Sequence, residues 1–273
     1  MSNNLFNIND KVILITGGGG VLGGEMASHL LTNGATVIII DYKEEIVNNA
    51  VSCLKKISDN VSGFVCNVLE EESLQQVSDQ IIEQYGKMDV LINAAGGNMP
   101  GATIGENQNI FDVKIDDFKK VVDLNLFGSI LPSLVFGKAM SKNKQGAIIN
   151  ISSMTAQSAI TRVVGYSASK AAIDNYTKWL SVELATKFGD KMRVNAIAPG
   201  FFIGNQNRDL LINKEDGTYT DRGNTIIQNT PMKRFGEAEE LNGSIHYLCS
   251  DASKFITGIV VPIDGGFSAF SGV

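Results

Sequence analysis

Residues 11–24 read Lys-Val-Ile-Leu-Ile-Thr-Gly-Gly-Gly-Gly-Val-Leu-Gly-Gly, a short apolar run followed at once by a glycine-rich turn. The run has the composition of a β-strand that is buried on both faces. After the turn, Met26, Leu30 and Leu31 lie on one arc of a helix. A glycine-rich turn between a strand and a helix lets the backbone approach a pyrophosphate, which the free N–H groups of the helix attract. Because similar loops also form ordinary turns, the interpretation depends on the segments that come after this one.

Six further apolar runs rich in Val and Ile recur along the chain, and most segments between them have the apolar spacing of helices. Gly34 and Gly86 stand where two of these helices should end. Alternating strands and helices predict a Rossmann-like, doubly wound α/β fold, with a seven-stranded parallel sheet flanked by helices. Since no linker or repeat divides the chain, we expect one domain over residues 1–273. The six runs are 36–40, 63–66, 89–93, 147–151, 193–197 and 258–263.

Composition narrows the class of protein. The 273 residues carry a formal net charge of −6 without a block of basic residues, so nucleic acid is not an expected partner. Three widely spaced cysteines, at 53, 66 and 249, fit a reducing compartment better than a disulfide framework or a zinc site. No signal peptide is recognisable, and no apolar run approaches the ~20 residues of a membrane span. We expect a cytoplasmic protein without a metal or membrane partner, in which His29 and His246 are packing or surface residues.

The second apolar run ends in an acid, Asp41, 24 residues after Gly17. A carboxylate near this position accepts hydrogen bonds from an adenosine ribose in dinucleotide-binding folds. Because the carboxylate would repel a 2′-phosphate, the residue favours NAD over NADP, although Lys43 is near enough to soften that preference. The alternative is that Asp41 only ends a strand at a turn.

Residues 150–170 contain three side chains that could act together. Tyr166 and Lys170 are four residues apart, which places them on one face of a helix. An ammonium group beside a phenol favours the phenolate, so Lys170 is predicted to lower the pKa of Tyr166 and fit it for proton transfer. Ser153 lies just after the run 147–151. Its hydroxyl could hydrogen-bond the substrate oxygen that Tyr166 protonates. Taken alone, Tyr-x-x-x-Lys is also common on solvated helix surfaces.

Together these motifs resemble the short-chain dehydrogenase/reductase family. The shared motifs occur in the family's order, Ser153 and Tyr166 have the family's separation of 13 residues, and the resemblance covers residues 11–266. It implies an NAD(P)-dependent oxidoreductase that interconverts a ketone and a secondary alcohol, in a homotetramer to which the tail 267–270 could contribute. The motifs are Thr16-Gly17 with Gly23, Asn93-Ala-Ala-Gly96, Asn125, Ser153, Tyr166-x-x-x-Lys170 and Pro199-Gly200.

The resemblance also implies residue roles. Tyr166 would be the general acid/base, Lys170 would lower its pKa and hold the nicotinamide ribose, and Ser153 would orient the substrate carbonyl. Asn125 would hold a water that links Lys170 to solvent. The implied cofactor-binding positions are Gly17, Gly19, Gly20, Val21, Leu22, Gly23, Asp41, Asn67, Val68, Asn93, Ala94, Ala95, Gly96, Tyr166, Lys170, Pro199, Gly200 and Phe202.

Three positions depart from the family pattern. Val21 replaces the middle glycine of the loop, which either displaces the pyrophosphate slightly or is absorbed by the neighbouring glycines. Asn67 replaces an aspartate that often contacts the adenine, and asparagine can still accept a hydrogen bond there. Gly204 replaces a threonine that often binds the carboxamide, so that contact is unassigned.

The segment 201–230 is polar and long, as expected of a substrate lid or of a surface insertion without a role. A sugar acid presents a carboxylate and several hydroxyls, which suit polar partners and a cation. Arg208 is the preferred carboxylate partner, with Arg162 and Arg222 as alternatives. The other candidates for substrate contacts are Asn98, Thr103, Ser153, Gln157, Tyr166, Asn205, Gln206 and Asn207.

A finer resemblance within this family, carried by the motifs at 16–23, 95–103, 199–202, 206–208 and 264–272, is to its D-mannonate oxidoreductases (fructuronate reductases). It implies D-fructuronate and D-mannonate as the substrate pair. Alternatives are a gluconate 5-dehydrogenase or another carbonyl reductase of the family. Rivals from other classes are a non-catalytic NAD-sensing protein and a nucleotide-sugar epimerase, which usually needs a larger C-terminal domain.

Overall fold

Seven parallel strands form one sheet in the computed structural model, which describes residues 4–204 and 207–272. The strand order is β3-β2-β1-β4-β5-β6-β7, so the chain reverses its direction of winding between β1 and β4. In sheets of this kind, ligands bind at the carboxyl ends of the strands near that reversal. The strands are β1 (Val12–Thr16), β2 (Thr36–Asp41), β3 (Val61–Val65), β4 (Val90–Asn93), β5 (Gly146–Ile151), β6 (Met192–Pro199) and β7 (Val260–Ile263).

Helices cover both faces of the sheet, as the sequence predicts. One apolar core lies between the sheet and α1, α2 and α9, and a second lies between the opposite face and α3, α5 and α6. The α-helices are α1 (Val21–Thr32), α2 (Glu44–Leu54), α3 (Glu71–Tyr85), α4 (Ile115–Val122), α5 (Gly128–Lys142), α6 (Val164–Phe188), α7 (Arg208–Leu211), α8 (Asp221–Asn229) and α9 (Asn242–Cys249).

Successive residues of the central strands enter opposite cores because side chains alternate across a strand. In β1, Ile13 and Ile15 pack in the first core, whereas Leu14 packs in the second. All three are fully buried, and each is worth roughly 1.5–3 kcal/mol of transfer free energy. The continuous apolar runs in the sequence therefore indicate strands whose side chains are buried on both faces of the sheet.

The two edge strands differ from the prediction of full burial. Most residues of β3 and β7 are only partly buried, and Val65 and Pro262 are exposed. An edge strand has a neighbour on one side only, and the helices cover it less completely. The third strand also begins at Val61 and ends at Val65, two residues earlier at its start than the apolar run suggests.

The segment 201–230, expected to be a polar loop, contains regular structure. It holds α7 and α8, and an isolated bridge pairs Ile212 with Tyr219. Leu211, Ile226 and Phe235 form a small apolar cluster beneath it, separate from the two main cores. The helices α7 and α8 therefore pack on a small apolar cluster of their own within the domain. The role of the segment as a lid stays a prediction.

The helical stretch Ile115–Lys142 is long and apolar enough to cross a membrane by length and composition, contrary to the expectation from the apolar runs. Half of its most apolar window is buried within the fold, which is typical of a core helix. The stretch joins α4 to α5 through one π-helical turn, Asp123–Phe127, in which the Gly128 N–H bonds the Asp123 carbonyl. Such turns are rare and often mark functional sites.

Candidate active site

The glycine-rich turn lies at the carboxyl end of β1, beside the point where the sheet reverses. Gly17 has φ +64, and a Cβ there would lie 2.9 Å from the Ala95 Cα, so glycine is required. Helix α1 begins at Val21 with neither a side-chain cap nor an acid in its first turn. Its first N–H groups and the positive end of the helix dipole are thus available to an anion.

Asp41 ends β2 next to this turn. Its side chain is 9 % exposed, and one carboxylate oxygen accepts a 2.9 Å hydrogen bond from the Tyr42 N–H. The other oxygen lies 3.2 Å from where a Cβ on Gly19 would stand, so the carboxylate faces the loop backbone. Lys43 instead stacks over the Tyr42 ring, with its Nζ 5.2 Å from the centroid.

A buried network of polar side chains fixes the strand ends below the cleft. The Thr16 hydroxyl accepts hydrogen bonds of 3.0 Å from the N–H groups of Ala94 and Ala95. The Asn93 amide donates to Asn150, its cross-strand neighbour, at 2.8 Å. The same amide group donates to Ser133 on α5, and the Asn150 amide donates to Thr177 on α6, each at 2.8 Å. These bonds hold β1, β4, β5 and two helices in one register.

Asn125 lies in the π-helical turn and is fully buried. Its Oδ1 accepts from the Gly97 N–H at 3.0 Å, while its Nδ2 donates to the carbonyls of Gly97 and Val121 at 2.6 and 2.8 Å. A Cβ on Gly96 would lie 2.8 Å from the Asn125 Oδ1 and 3.4 Å from the Lys170 Nζ. Gly96, Asn125 and Lys170 therefore converge. Both donors of the Asn125 amide are engaged, its Oδ1 can accept one further hydrogen bond, and the water bound by this residue stays a prediction.

Ser153, Tyr166 and Lys170 are brought together as predicted. Ser153 follows β5 and is buried, its hydroxyl accepts a 3.2 Å hydrogen bond from the Thr155 N–H, and it lies near enough to Tyr166 to influence the pKa of the phenol. Tyr166 lies in the first turn of α6 and remains partly exposed in the cleft. The Lys170 Nζ lies 5.4 Å from the centroid of the Tyr166 ring and donates to the Ile151 carbonyl at 2.7 Å.

The predicted direction of the Tyr166 pKa is wrong for this structure. Burial raises the pKa of the phenol, and the neighbouring Ser153 hydroxyl lowers it by less. The effect of burial on Lys170 is also large, and it lowers the pKa of that ammonium group to about 8 despite the nearby Asp174 carboxylate. The sequence pattern shows the spacing of the two groups but not the removal of water, which is the largest cause of both pKa shifts.

Asp174 is a residue of the site that the sequence analysis does not include. It lies one turn after Lys170 on α6, accepts a hydrogen bond from the Ser152 hydroxyl, and helps to keep Lys170 protonated. Burial raises the pKa of the Asp174 carboxyl itself. The spacing of four residues after Lys170 is the same signal that joins Tyr166 to Lys170, so the sequence contains the means to find it.

The positions that depart from the family pattern have local explanations. The Val21 side chain is exposed rather than inserted into the loop. The Asn67 amide donates to Glu70 at 2.8 Å and its oxygen accepts from the Leu69 N–H at 3.1 Å, so this residue is engaged just before α3. The Gly204 N–H donates to Asn207 at 2.8 Å.

The remaining cofactor positions lie at the carboxyl ends of the strands. Val68 and Leu22 pack on the two apolar cores. The Gly200 N–H donates to the Ile263 carbonyl at 2.9 Å, and a Cβ there would lie 2.6 Å from the Asp264 Cα. Phe202 is buried and pairs with Gly236.

The predicted substrate-binding residues differ in burial and in hydrogen bonding, and their role stays a prediction. The Asn98 Nδ2 donates to Thr103 at 2.8 Å, while its buried Oδ1 has no partner among the residues that the structure describes. Gln157 and Arg208 are exposed, the latter at the start of α7. The Asn207 side chain is engaged by the Gly204 N–H and the Phe202 carbonyl. Asn205 and Gln206 lie outside the described residues.

His29 and His246, expected to be packing or surface residues, contact each other although they lie far apart in sequence. The His29 Nε2 lies 3.1 Å from the His246 Nδ1, and the His246 Nε2 lies 2.7 Å from the Phe6 carbonyl. The pair joins α1 to α9, helices that both cover the same face of the sheet. Within residues 4–204 and 207–272, no group of three or more metal-ligating side chains is found.

Comparison with known proteins agrees with this geometry. The family model described as enoyl-(acyl carrier protein) reductase matches residues 20–268. An uncharacterized oxidoreductase of Bacillus subtilis (strain 168) is 44 % identical, over 98 % of each chain. The 2-dehydro-3-deoxy-D-gluconate 5-dehydrogenase of Formosa agariphila is 32 % identical, over 100 % of this chain and 98 % of its own.

Among solved structures, a protein of Haemophilus influenza with bound NAD, described provisionally as a D-mannonate oxidoreductase, superposes with a TM-score of 0.90. It is 42 % identical, and 98 % of each chain is covered. The present protein belongs to the short-chain dehydrogenase/reductase family. It is an enzyme of the oxidoreductase class, with the single-domain α/β fold of that family.

Proposed function

We propose that this enzyme interconverts a ketone and a secondary alcohol on a sugar acid, with D-fructuronate and D-mannonate as the first pair to test. The observation that carries the proposal is the meeting of Ser153, Tyr166 and Lys170 beside the glycine-rich turn. A proton donor and a dinucleotide-type cradle thus share one cleft.

The cofactor is NAD(H), and the residues present fit it. The four glycines at 17–20 have no side chains that would block a pyrophosphate, and a Cβ on Gly17 would strike Ala95. Asp41 presents a carboxylate toward the turn, where an adenosine ribose would find an acceptor and a 2′-phosphate would be repelled. When bound, the nicotinamide donates or accepts a hydride at the substrate carbon.

The side chains of this enzyme supply the proton and stabilise charge. In the direction of reduction, Tyr166 donates its phenolic proton to the carbonyl oxygen, and Ser153 hydrogen-bonds that oxygen as negative charge develops. The raised pKa keeps Tyr166 protonated and ready to act as an acid. The Lys170 ammonium then stabilises the phenolate that remains. In the direction of oxidation the proton moves the other way.

Polar side chains among the predicted substrate-binding residues support the proposal of a polar substrate. The Asn98 Oδ1, which has no hydrogen-bond partner among the described residues, can accept a hydrogen bond from a sugar hydroxyl, and the exposed Gln157 and Arg208 are further polar candidates. A dehydrogenase of 2-dehydro-3-deoxy-D-gluconate is the second candidate, because a relative with that name aligns over the whole chain. A non-catalytic NAD sensor is disfavoured because Asn125, Ser153, Tyr166 and Lys170 are all in place.

The test is NADH oxidation at 340 nm with D-fructuronate, 5-keto-D-gluconate, neutral ketoses and a steroid ketone. We expect the highest kcat/KM with a keto sugar acid. Turnover only of steroid or neutral ketones would refute the sugar-acid assignment, and NADH binding without turnover of any ketone would favour the sensor.

We also propose a homotetramer in the cytoplasm. Exposed apolar side chains on α5 and α6, Leu134, Trp179 and Val182, offer helix faces for subunit contacts. In the tail, Phe267 packs against Phe201 within the same chain, with ring centroids 5.2 Å apart, so the more exposed Phe270 is the better candidate for a contact between subunits. Light scattering of the purified protein measures the assembly, and a monomer would contradict it.

A further inference from the structure

Two arginines come together where α8 touches the loop that precedes α6. Both terminal nitrogens of Arg222, on α8, approach Thr161, with Nη1 3.3 Å from the hydroxyl and Nη2 3.5 Å from the carbonyl. Thr161 is the neighbour of Arg162, and the two guanidinium groups repel each other. Both side chains are only partly exposed. Two positive side chains held close together repel each other, so their proximity is unfavourable unless an anion binds between them.

Arg162 is held in place by the loop after β4. Its Nε donates to the Ile104 carbonyl at 2.8 Å, and its own carbonyl accepts from the Ile104 N–H at 2.9 Å. Its backbone has φ +79, which is costly for a residue with a side chain and persists only where surrounding contacts impose it. Among the described residues, Arg162 makes no side-chain hydrogen bond other than this Nε contact, so its terminal nitrogens can bind a ligand.

The surroundings add positive charge without neutralising it. Helix α6 begins at Val164 with no side-chain cap and no acid in its first turn, so its free N–H groups lie close to Arg162. Within the described part of the chain, none of the ion pairs includes Arg162 or Arg222. Burial and the other arginine both lower the pKa of Arg222, and no carboxylate opposes them. An anion between the two guanidinium groups would remove this repulsion.

We infer that Arg162 and Arg222 together bind the carboxylate of the substrate and so hold α8 against the loop that precedes α6. Arg162 lies two residues before the start of α6, the helix that carries Tyr166 in its first turn, so the proposal places the carboxylate and the phenol at the same end of this helix. The inference rests on the proposed function, for which it supplies the determinant of acid over neutral sugars. It competes with the sequence-based assignment of the carboxylate to Arg208.

The first test compares kcat/KM for D-fructuronate and for neutral D-fructose in the wild type and in Arg222→Gln. We expect a loss of about 10- to 100-fold for the acid, mainly through KM, and no change for the neutral sugar or for NADH. Arg222→Lys and Arg162→Lys keep the charge but not the planar fork, so they should fall in between. Lys214→Gln is the matched control, because it removes an exposed cation from the same segment.

The second test does not depend on turnover. With NAD present, D-mannonate should raise the melting temperature of the wild type more than neutral D-mannitol does, and Arg222→Gln should lose that difference while keeping stabilisation by NAD. The inference is overturned if Arg222→Gln keeps the preference for the acid, if Lys214→Gln loses it equally, or if Arg208→Gln alone abolishes it. If no sugar acid is turned over, the proposed function fails, but the melting experiment still tests the inference. The larger rise in melting temperature with D-mannonate than with D-mannitol must then be present in the wild type and absent in Arg222→Gln.

Discussion

The Lys170 Nζ lies 5.4 Å from the centroid of the Tyr166 ring, while it donates a 2.7 Å hydrogen bond to the backbone of β5. The lysine is thus fixed by the strand that ends just before Ser153, rather than by the tyrosine. This arrangement sets the distance between α6 and the end of β5. It places the phenol where the serine hydroxyl can reach it.

Tyr166→Phe removes the proton donor and leaves the packing of the ring. We expect kcat to fall by at least about 100-fold, because general acid catalysis typically supplies a factor of about 10²–10⁴. NADH binding, followed by fluorescence titration, should be unchanged. Tyr247→Phe, which removes a hydroxyl on α9, is the control and should keep full activity. Appreciable turnover by Tyr166→Phe would exclude the proposed proton transfer.

The buried Lys170 predicts a dependence of stability on alkaline pH. Its folded-state pKa of about 8 lies below the ordinary value of 10.5, so between these values the unfolded chain binds more protons than the folded protein. Stability contributed by this group therefore rises with pH across that window, by up to about 1.4 kcal/mol per pH unit.

Urea denaturation of the wild type and of Lys170→Met from pH 7 to pH 9.5 measures this effect. The difference in unfolding free energy should be flat below pH 8 and should shift in favour of the wild type above it. A difference that stays constant with pH would show that Lys170 titrates normally. Both proteins should be compared without cofactor.

Asp41 is predicted to set the preference for NAD. Its carboxylate is nearly buried and faces the loop backbone, where a 2′-phosphate would meet an unpaired negative charge. Asp41→Ala should raise the ratio of kcat/KM with NADPH to that with NADH by about 10-fold or more. Lys43→Ala is the matched variant and should not raise the ratio, because it removes a cation that would favour a 2′-phosphate. An unchanged ratio in Asp41→Ala would mean that another residue discriminates between the cofactors.

The features that can be predicted from the sequence are those carried by local periodicity. The seven apolar runs predict the strands because alternate side chains fill two cores, and the spacing of Tyr166 and Lys170 predicts their common helix face. The π-helical turn at Asn125 has no periodic signal, and it depends on buried contacts to Gly97. The prediction for the pKa of Tyr166 has the wrong direction because burial is a property of the folded chain. The meetings of His29 with His246 and of Arg162 with Arg222 join segments that only the folded chain brings together.

The two histidines predict a loss of stability in acid. The Phe6 carbonyl can only accept, so the His246 Nε2 carries a proton and its Nδ1 accepts from the His29 Nε2. Burial lowers the pKa of His29 below 6.5, the charge of His246 lowers it further, and Glu25 raises it less. As the pH falls through 6.5 the unfolded chain takes up a proton that the folded protein resists, so stability falls.

His29→Gln removes the titrating ring but keeps an N–H that can donate to His246. We expect the unfolding free energy of the wild type to drop more than that of His29→Gln between pH 7.5 and pH 5.5, measured by urea denaturation at both ends of the range. His246→Gln should reduce the drop in the same direction, because it removes a group that lowers the pKa of His29. If the unfolding free energy of all three proteins depends equally on pH, protonation of the histidine pair does not destabilise the fold, and the prediction is wrong. The link from Phe6 through α9 to α1 would then be a packing contact alone.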